Sequence, residues 1–139
     1  MQGFEFCCPT KIVCGAHALD KLPDEVADRG MKHPLVMTDA GLVKLGVAAK
    51  LTGVLDAADV PYEVFDQVPP DSSMDVVNEV ARLYAERGCD GFVAIGGGSV
   101  IDTTKGAAAS LACEGVDFAT LQGSEILKAD LPPFIAVPT

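Results

Sequence analysis

Four short apolar runs constrain the fold of this chain more than any other feature. They span residues 35–37, 62–65, 92–95 and 134–137. Their apolar character is largely continuous instead of alternating, and such runs are typical of strands buried on both faces of a parallel sheet. We therefore predict four buried strands.

The stretches between these runs repeat apolar residues at helical spacing. The predicted helices lie near residues 16–29, with a restart at Pro23, and then at residues 42–58, 72–87 and 99–112. The third pattern is the clearest, because Ser72 and Asp75 have the spacing of a capping box before it and Gly88 is a stop signal after it.

The first residues of the chain are predicted to be extended. Residues 4–15 contain a turn at residues 8–11, Cys-Pro-Thr-Lys, which would join two short strands.

Strand and helix thus alternate, which predicts right-handed βαβ units and an α/β fold with an open, doubly wound, mostly parallel sheet. The whole chain, residues 1–139, fits a single domain. In such sheets ligands bind beyond the carboxyl ends of the strands. The candidate site residues are therefore those that directly follow the apolar runs.

Composition excludes several classes of function. The chain is 49% hydrophobic, so it can bury a core. Its 20 acidic and 10 basic residues give a formal charge of −10, which repels phosphate backbones and anionic membranes. We expect no nucleic-acid and no membrane partner. The sequence shows no signal-peptide pattern, and its five cysteines are an odd number typical of reduced thiols, so we expect a cytoplasmic protein.

Candidate metal ligands are few. The sequence contains no Cys-x-x-Cys pair, and its histidines are His17 and His33. We therefore expect no metal site made wholly from this chain. No residue is suited to act as the acid or the base of a reaction, so no catalytic residue is assigned.

The strongest local motif follows the third apolar run. Residues 95–105 read Ile-Gly-Gly-Gly-Ser-Val-Ile-Asp-Thr-Thr-Lys, a buried strand that passes through three glycines into a helix. Glycine allows positive φ and lets a phosphate approach the backbone. The helix N-terminus adds free N–H groups and the positive end of a dipole. We predict a phosphate site at Gly97, Gly98 and Ser99, where the Ser99 hydroxyl caps the helix or donates to a phosphate oxygen.

A reading without a ligand stays open for this loop. Its pattern differs from a Walker loop, from the Gly-x-Gly-x-x-Gly motif and from a nucleophile elbow. A tight strand–helix turn with a capping box made of Ser99 and Asp102 would also explain the sequence.

Asp39 follows the first apolar run and has two readings. Its carboxylate can accept hydrogen bonds from a ribose diol and would repel a 2′-phosphate. Alternatively, it forms an Asx turn or an N-cap for the next helix. Together with the glycine loop, Asp39 favours NAD over NADP.

Several motifs, in order along the chain, resemble one family. Residues 96–105 resemble the Gly-Gly-Gly-Ser-x-x-Asp-x-x-Lys signature of the iron-containing (group III) alcohol dehydrogenases. Further segments that resemble elements of the same family are residues 11–15, 36–42, 65–69 and 131–139. The resemblance therefore covers the chain from end to end.

This resemblance implies a Rossmann-like, dehydroquinate synthase-like N-terminal domain that binds NAD in preference to NADP. The pyrophosphate would lie on Gly97, Gly98 and Ser99, and Asp39 would hold the adenosine ribose. Asp102 and Thr139 would lie near the cofactor.

The resemblance also implies what the chain lacks. The family's all-helical domain, which supplies the ligands of Fe²⁺ or Zn²⁺, is absent. A full-length parent would transfer hydride between the cofactor and a small alcohol or aldehyde. We expect the 139-residue chain alone to be inactive, and we expect a homo-oligomer.

One loop departs from the family pattern, and two alternative functions stay open. Residues 70–73, Pro-Asp-Ser-Ser, differ from the Asn-Pro-Thr of many members, so no cofactor contact is assigned to this loop. Glycerol dehydrogenases, glycerol-1-phosphate dehydrogenases and dehydroquinate synthases share the architecture, although Ser99 favours the alcohol dehydrogenase branch. A nucleotide-binding module without chemistry is the alternative from another class.

Overall fold

A parallel sheet with helices on both faces forms the core of the protein. The computed structural model describes residue 3, residues 6–123 and residues 126–139. In these residues the sheet has four strands, all parallel, in the order β2-β1-β3-β4. The strands are β1 (Leu35–Met37), β2 (Glu63–Phe65), β3 (Phe92–Gly96) and β4 (Phe134–Pro138). The predicted α/β fold and all four predicted strands are confirmed, each boundary to within one residue.

The described residues form five α-helices, of which the first precedes β1 and the other four connect the strands. They are α1 (Leu22–Asp28), α2 (Ala40–Lys44), α3 (Val47–Ala57), α4 (Met74–Glu86) and α5 (Gly98–Ala112). Short 3-10 turns precede α1, at Ala18–Lys21, and follow α5, at Phe118–Thr120. Across residues 6–123 and 126–139, every helix is too short or too polar to cross a membrane.

Alternate residues of the central strands face opposite layers of helices. Leu35, Met37 and Phe92 lie in one buried cluster, which contains residues of α4 and α5. Val36 and Val93 lie in a second buried cluster, which contains residues of α1 and α3. Because side chains alternate along a strand, these two clusters occupy the two faces of the sheet. The sheet is therefore doubly wound, as predicted.

The helical pattern of residues 42–58 is divided into two helices. Gly46 separates α2 from α3 and has a φ of 72°, in the left-handed region. Glycine adopts this conformation without steric cost, so the chain turns here instead of continuing one helix. The restart predicted at Pro23 is confirmed, since Pro23 lies in the first turn of α1.

The two strands predicted near the N-terminus are wrong for the residues that the structure describes. Residues 6–14 have no regular secondary structure there, and most of them are exposed; Phe4 and Glu5 lie outside the described residues. A strand needs a neighbouring backbone, and turn-forming residues do not supply one. An ion pair instead fastens this segment to α1, with 2.5 Å between Lys11 Nζ and Glu25 Oε1.

The predicted capping box before α4 is also wrong. Ser73, and not Ser72, is the N-cap, and its Oγ accepts a hydrogen bond from the Val76 N–H. The capping-box pattern selected Ser72 because an acidic residue, Asp75, lies three positions later. The stop at Gly88 is confirmed by the end of α4 at Glu86.

Candidate functional site at the carboxyl ends of β1 and β3

The strand order places a crevice between β1 and β3. From β1 the chain crosses to β2 on one side, and later enters β3 on the other side of β1. The two strands run in register, with Met37 opposite Ala94. Connections thus leave the two strands in opposite directions, which is the position where open α/β sheets bind ligands. Asp39 and the glycine loop, residues 96–98, follow these two strands directly.

The three glycines of the loop have different surroundings. A Cβ built on Gly96 would lie 2.6 Å from Val100 Cγ2, so packing against α5 requires a glycine there. In the described part of the chain, no atom lies within 4 Å of a Cβ built on Gly97 or Gly98. All three have φ outside the left-handed region, so positive φ does not explain the motif. The remaining explanation for glycine at positions 97 and 98 is the open space above the backbone there.

The N-terminus of α5 lies at this open space. Gly97 is the N-cap, and among the described residues no side chain caps the helix there. Asp39 caps α2 and Ser73 caps α4, whereas the N-caps of α1 and α3, like that of α5, make no side-chain cap. The first N–H groups of the 15-residue helix α5 are therefore left for solvent or for an anion.

Ser99 lies in the first turn of α5, but its hydroxyl does not cap the helix. The helix begins at Gly98, one residue earlier than predicted. The Ser99 hydroxyl donates a hydrogen bond to the carbonyl oxygen of Pro70, in the loop between β2 and α4. The capping box of Ser99 and Asp102 is therefore wrong, because the Ser99 side chain is bonded to another segment.

Asp39 is half-buried and caps α2. Its Oδ1 accepts a hydrogen bond from the Leu42 N–H at 2.9 Å. The structure thus supports the N-cap reading. The cap uses one carboxylate oxygen, so the second oxygen remains available to a ligand in the crevice.

Asp102 and Thr139 have different surroundings near the start of α5. Asp102 is exposed on α5, 3.7 Å from Lys105 across one helical turn. Thr139 follows β4, and its N–H donates to the Gly96 carbonyl at 3.2 Å. Thr139 therefore lies beside the glycine loop, whereas Asp102 is paired on the solvent side of the helix.

Two buried hydroxyls lie near the site, and the sequence analysis missed one of them, that of Thr103. Thr38 is fully buried after β1, and its Oγ1 has no hydrogen-bond partner among the described residues. Thr103 is also fully buried, and its Oγ1 lies 2.7 Å from Ser72 Oγ. Thr38 directly follows the first apolar run and so falls among the predicted candidate residues. For Thr103 the sequence signal is a polar residue on an apolar helix face, and that signal does not name the partner.

Among the described residues, the loop has a cleft along β4 near it and no cluster of candidate metal ligands. The described residues contain no group of three or more His, Cys, Asp or Glu side chains that could hold a metal ion. A cleft of about 820 Å³ runs along β4 and is lined by residues of the N-terminal segment, α1 and α5, including Lys11, Ile101 and Phe134. The lining of this cleft includes Pro138, which pairs with Gly96 in the sheet, so the cleft reaches the side of the glycine loop.

Comparison with known proteins identifies the family. The model of the family described as "Iron-containing alcohol dehydrogenase" matches residues 9–139. The chain belongs to this family. The match covers nearly the whole chain and includes every residue of the crevice.

Comparisons with individual relatives agree with the family match. The chain is 36% identical to choline dehydrogenase of Bacillus subtilis, over 100% of this chain and 35% of the relative. It is 39% identical to 4-hydroxybutyrate dehydrogenase of Cupriavidus necator, over 88% and 32%. An alcohol dehydrogenase structure from Oenococcus oeni superposes with a TM-score of 0.80 at 36% identity, over 88% of this chain and 32% of that one. The chain thus spans about a third of the length of these relatives.

Proposed function

We propose that this chain is the cofactor-binding part of a longer, NAD-dependent alcohol dehydrogenase. The observation that carries the proposal is the open, uncapped N-terminus of α5 at Gly97 and Gly98, in the crevice where parallel sheets bind ligands. A dinucleotide carries a pyrophosphate, and free N–H groups with a positive helix dipole favour such an anion.

Different residues of the crevice would contact different parts of the cofactor. The backbone of Gly97, Gly98 and Ser99 would hold the pyrophosphate, and the free oxygen of Asp39 would accept from a ribose hydroxyl. Thr139 would lie near the cofactor on the other side of the loop, and Asp102 near the α5 N-terminus. When bound, the nicotinamide supplies the hydride acceptor or donor.

The metal implied by the family name does not fit the described residues of this chain, which hold no suitable ligand cluster. We propose that Fe²⁺ or Zn²⁺ is held elsewhere in a longer protein and that this chain by itself does not turn over substrate. The relatives named above act on choline and on 4-hydroxybutyrate, so we propose a small alcohol or aldehyde as the substrate class.

Cofactor preference tests the assignment of Asp39. The full-length protein should use NADH with a kcat/KM at least about tenfold above that for NADPH, because a carboxylate near a phosphate costs more than about 1 kcal/mol. Asp39→Asn removes the charge and keeps the cap on α2, since Asn caps as well as Asp. This variant should gain NADPH use.

Asp66→Asn is the matched control, because Asp66 follows β2 at the same end of the sheet. It should leave the preference unchanged. Equal use of both cofactors by the wild type, or an equal change in the two variants, would contradict the role of Asp39. Full-length protein that binds neither NADH nor NADPH in a titration would overturn the proposed function itself.

A nucleotide-binding module without chemistry is the second candidate. It is favoured by the lack of a metal-ligand cluster in the described residues. NADH binding by the full-length protein without any NADH-coupled aldehyde reduction, with iron or zinc supplied, would support this second candidate.

A further inference from the structure

The loop between β2 and α4, residues 66–73, is fastened to α5 at two points. The Ser99 hydroxyl donates to the Pro70 carbonyl, and the hydroxyls of Ser72 and Thr103 share a hydrogen bond of 2.7 Å. The two positions on α5 are four residues apart, so they lie on one face of the helix. The loop therefore runs along that face, beside the first turn.

Thr103 uses its hydroxyl in an unusual way for a buried helical threonine. Such a hydroxyl commonly bonds to the carbonyl four residues earlier, and Thr104 does so with the Val100 carbonyl at 2.7 Å. Thr103 is equally buried, at 0% exposure, but bonds to the loop instead. Losing the Ser72 hydroxyl would leave this buried group unsatisfied, which makes the contact costly to break.

The tip of the loop has few other anchors. Val68 is 4% exposed and holds the start of the loop in the core, while residues 71–73 are exposed. Asp71 lies between the two hydroxyl contacts. The position of the loop beside the open N-terminus of α5 therefore depends on these contacts.

We propose that Ser72 and Thr103 are positioning residues, a hydroxyl pair that holds the β2–α4 loop as a wall of the cofactor crevice. The inference rests on the proposed function, since the crevice is taken to hold NAD. Neither residue touches the cofactor in this proposal. Their effect is to keep the wall in place before the ligand arrives, which lowers the cost of binding.

The experiment compares Ser72→Ala and Thr103→Val with two reference variants in the full-length protein. Thr103→Ser keeps the hydroxyl and should therefore keep wild-type NADH binding and wild-type amide exchange at residues 66–73. Thr104→Val removes a buried hydroxyl at the next position without touching the loop. The readouts are the Kd for NADH, kcat and KM for NADH, and amide hydrogen exchange at residues 66–73.

Ser72→Ala and Thr103→Val should each raise the Kd and KM for NADH about fivefold, which corresponds to about 1 kcal/mol, with little change in kcat. Amide exchange in residues 66–73 should accelerate in both. Thr103→Ser and Thr104→Val should stay within about twofold of the wild type in Kd. Ser72 is exposed, so Ser72→Ala keeps the test informative if Thr103→Val does not fold.

Two results would overturn the inference. The first is a rate of amide hydrogen exchange at residues 66–73 of Ser72→Ala that equals that of the wild type. The second is a Kd for NADH that rises as much in Thr104→Val as in Thr103→Val. Wild-type protein that does not bind NADH would refute the proposed function instead, and the exchange data alone would then decide whether the pair holds the loop.

Discussion

Replacing Gly96 by alanine should destabilise the protein through a clash that cannot relax. A Cβ at this position would lie 2.6 Å from Val100 Cγ2 and 2.7 Å from Val100 Cβ. Rotation about χ1 of Val100 moves the first atom but leaves the second in place. Val100 is 1% exposed, and a β-branched residue in a helix has one strongly preferred rotamer.

The backbone around Gly96 also resists a shift. β3 pairs with β1 on one side and with β4 on the other, and Gly96 itself is opposite Pro138. Overpacking of a well-packed core costs about 1–3 kcal/mol, and we expect the upper half of this range here. Total stabilities are roughly 5–15 kcal/mol, so the loss should be easy to measure.

The assay is urea unfolding at pH 7, with Gly98→Ala as the matched control. In the described structure nothing lies within 4 Å of a Cβ at Gly98, and Gly98 is helical. Alanine there should be neutral or should stabilise by up to about 1 kcal/mol. The same methyl group enters the space proposed for the pyrophosphate, so Gly98→Ala should bind NADH more weakly although it is no less stable.

A double variant isolates the clash. Val100→Gly removes the Cβ and both Cγ atoms that a Cβ on Gly96 would meet, so Gly96→Ala should cost less in that background, with a coupling of about 1 kcal/mol or more. Additive losses, or equal stability of the Gly96 and Gly98 variants, would refute the steric argument.

Two further predictions concern side-chain chemistry. Burial raises the pKa of the Cys89 thiol to about 11. A thiol reagent at pH 8 should therefore react slowly with Cys89 and fast with the exposed cysteines, which are Cys7, Cys8 and Cys14. Mass spectrometry of the labelled peptides measures these rates, and equal rates would contradict the burial of Cys89. Hydrogen bonds from Lys11 and Arg29 hold the pKa of the Glu25 carboxyl below its ordinary value, and the bond from Lys11 has the larger effect. When folding lowers the pKa of a carboxyl, the resulting stabilisation is fully present above the pKa of the unfolded state. It is lost as the pH falls through the pKa of the folded state. Glu25→Gln should therefore lower the Tm at pH 7, and the difference in Tm from the wild type should shrink as the pH falls below the ordinary pKa of a glutamate. A difference that does not change with pH would argue against the ion pair.

The sequence predicted those parts of the fold that are encoded by neighbouring residues. Continuous apolar runs located the strands, because a strand buried on both faces must be apolar at successive positions. The glycine loop was located correctly at the carboxyl end of β3, since a buried run followed by glycines and an alanine-rich helix leaves little choice. The family resemblance is confirmed over residues 9–139.

Predictions failed where the partner was distant or where two neighbours competed. Ser72 and Ser73 both suit an N-cap, and the structure assigns the cap to Ser73 because Ser72 bonds to Thr103, 31 positions away. The helix cap predicted for the Ser99 hydroxyl is wrong, because this hydroxyl bonds to the Pro70 carbonyl, 29 positions away. The N-terminal strands were predicted from local extension, but no neighbouring strand pairs with residues 6–14 in the described chain.

By itself, the sequence determined the order of strands and helices and the presence of a glycine-rich turn at one strand end. Those features follow from local patterning, since each depends on residues a few positions apart. Only the tertiary structure decided that β1 and β3 are neighbours, that Gly96 serves packing while Gly97 and Gly98 leave open space, and that Thr103 bonds to the β2–α4 loop. These outcomes depend on how the helices pack on the two faces of the sheet, which brings together residues that are far apart in the chain.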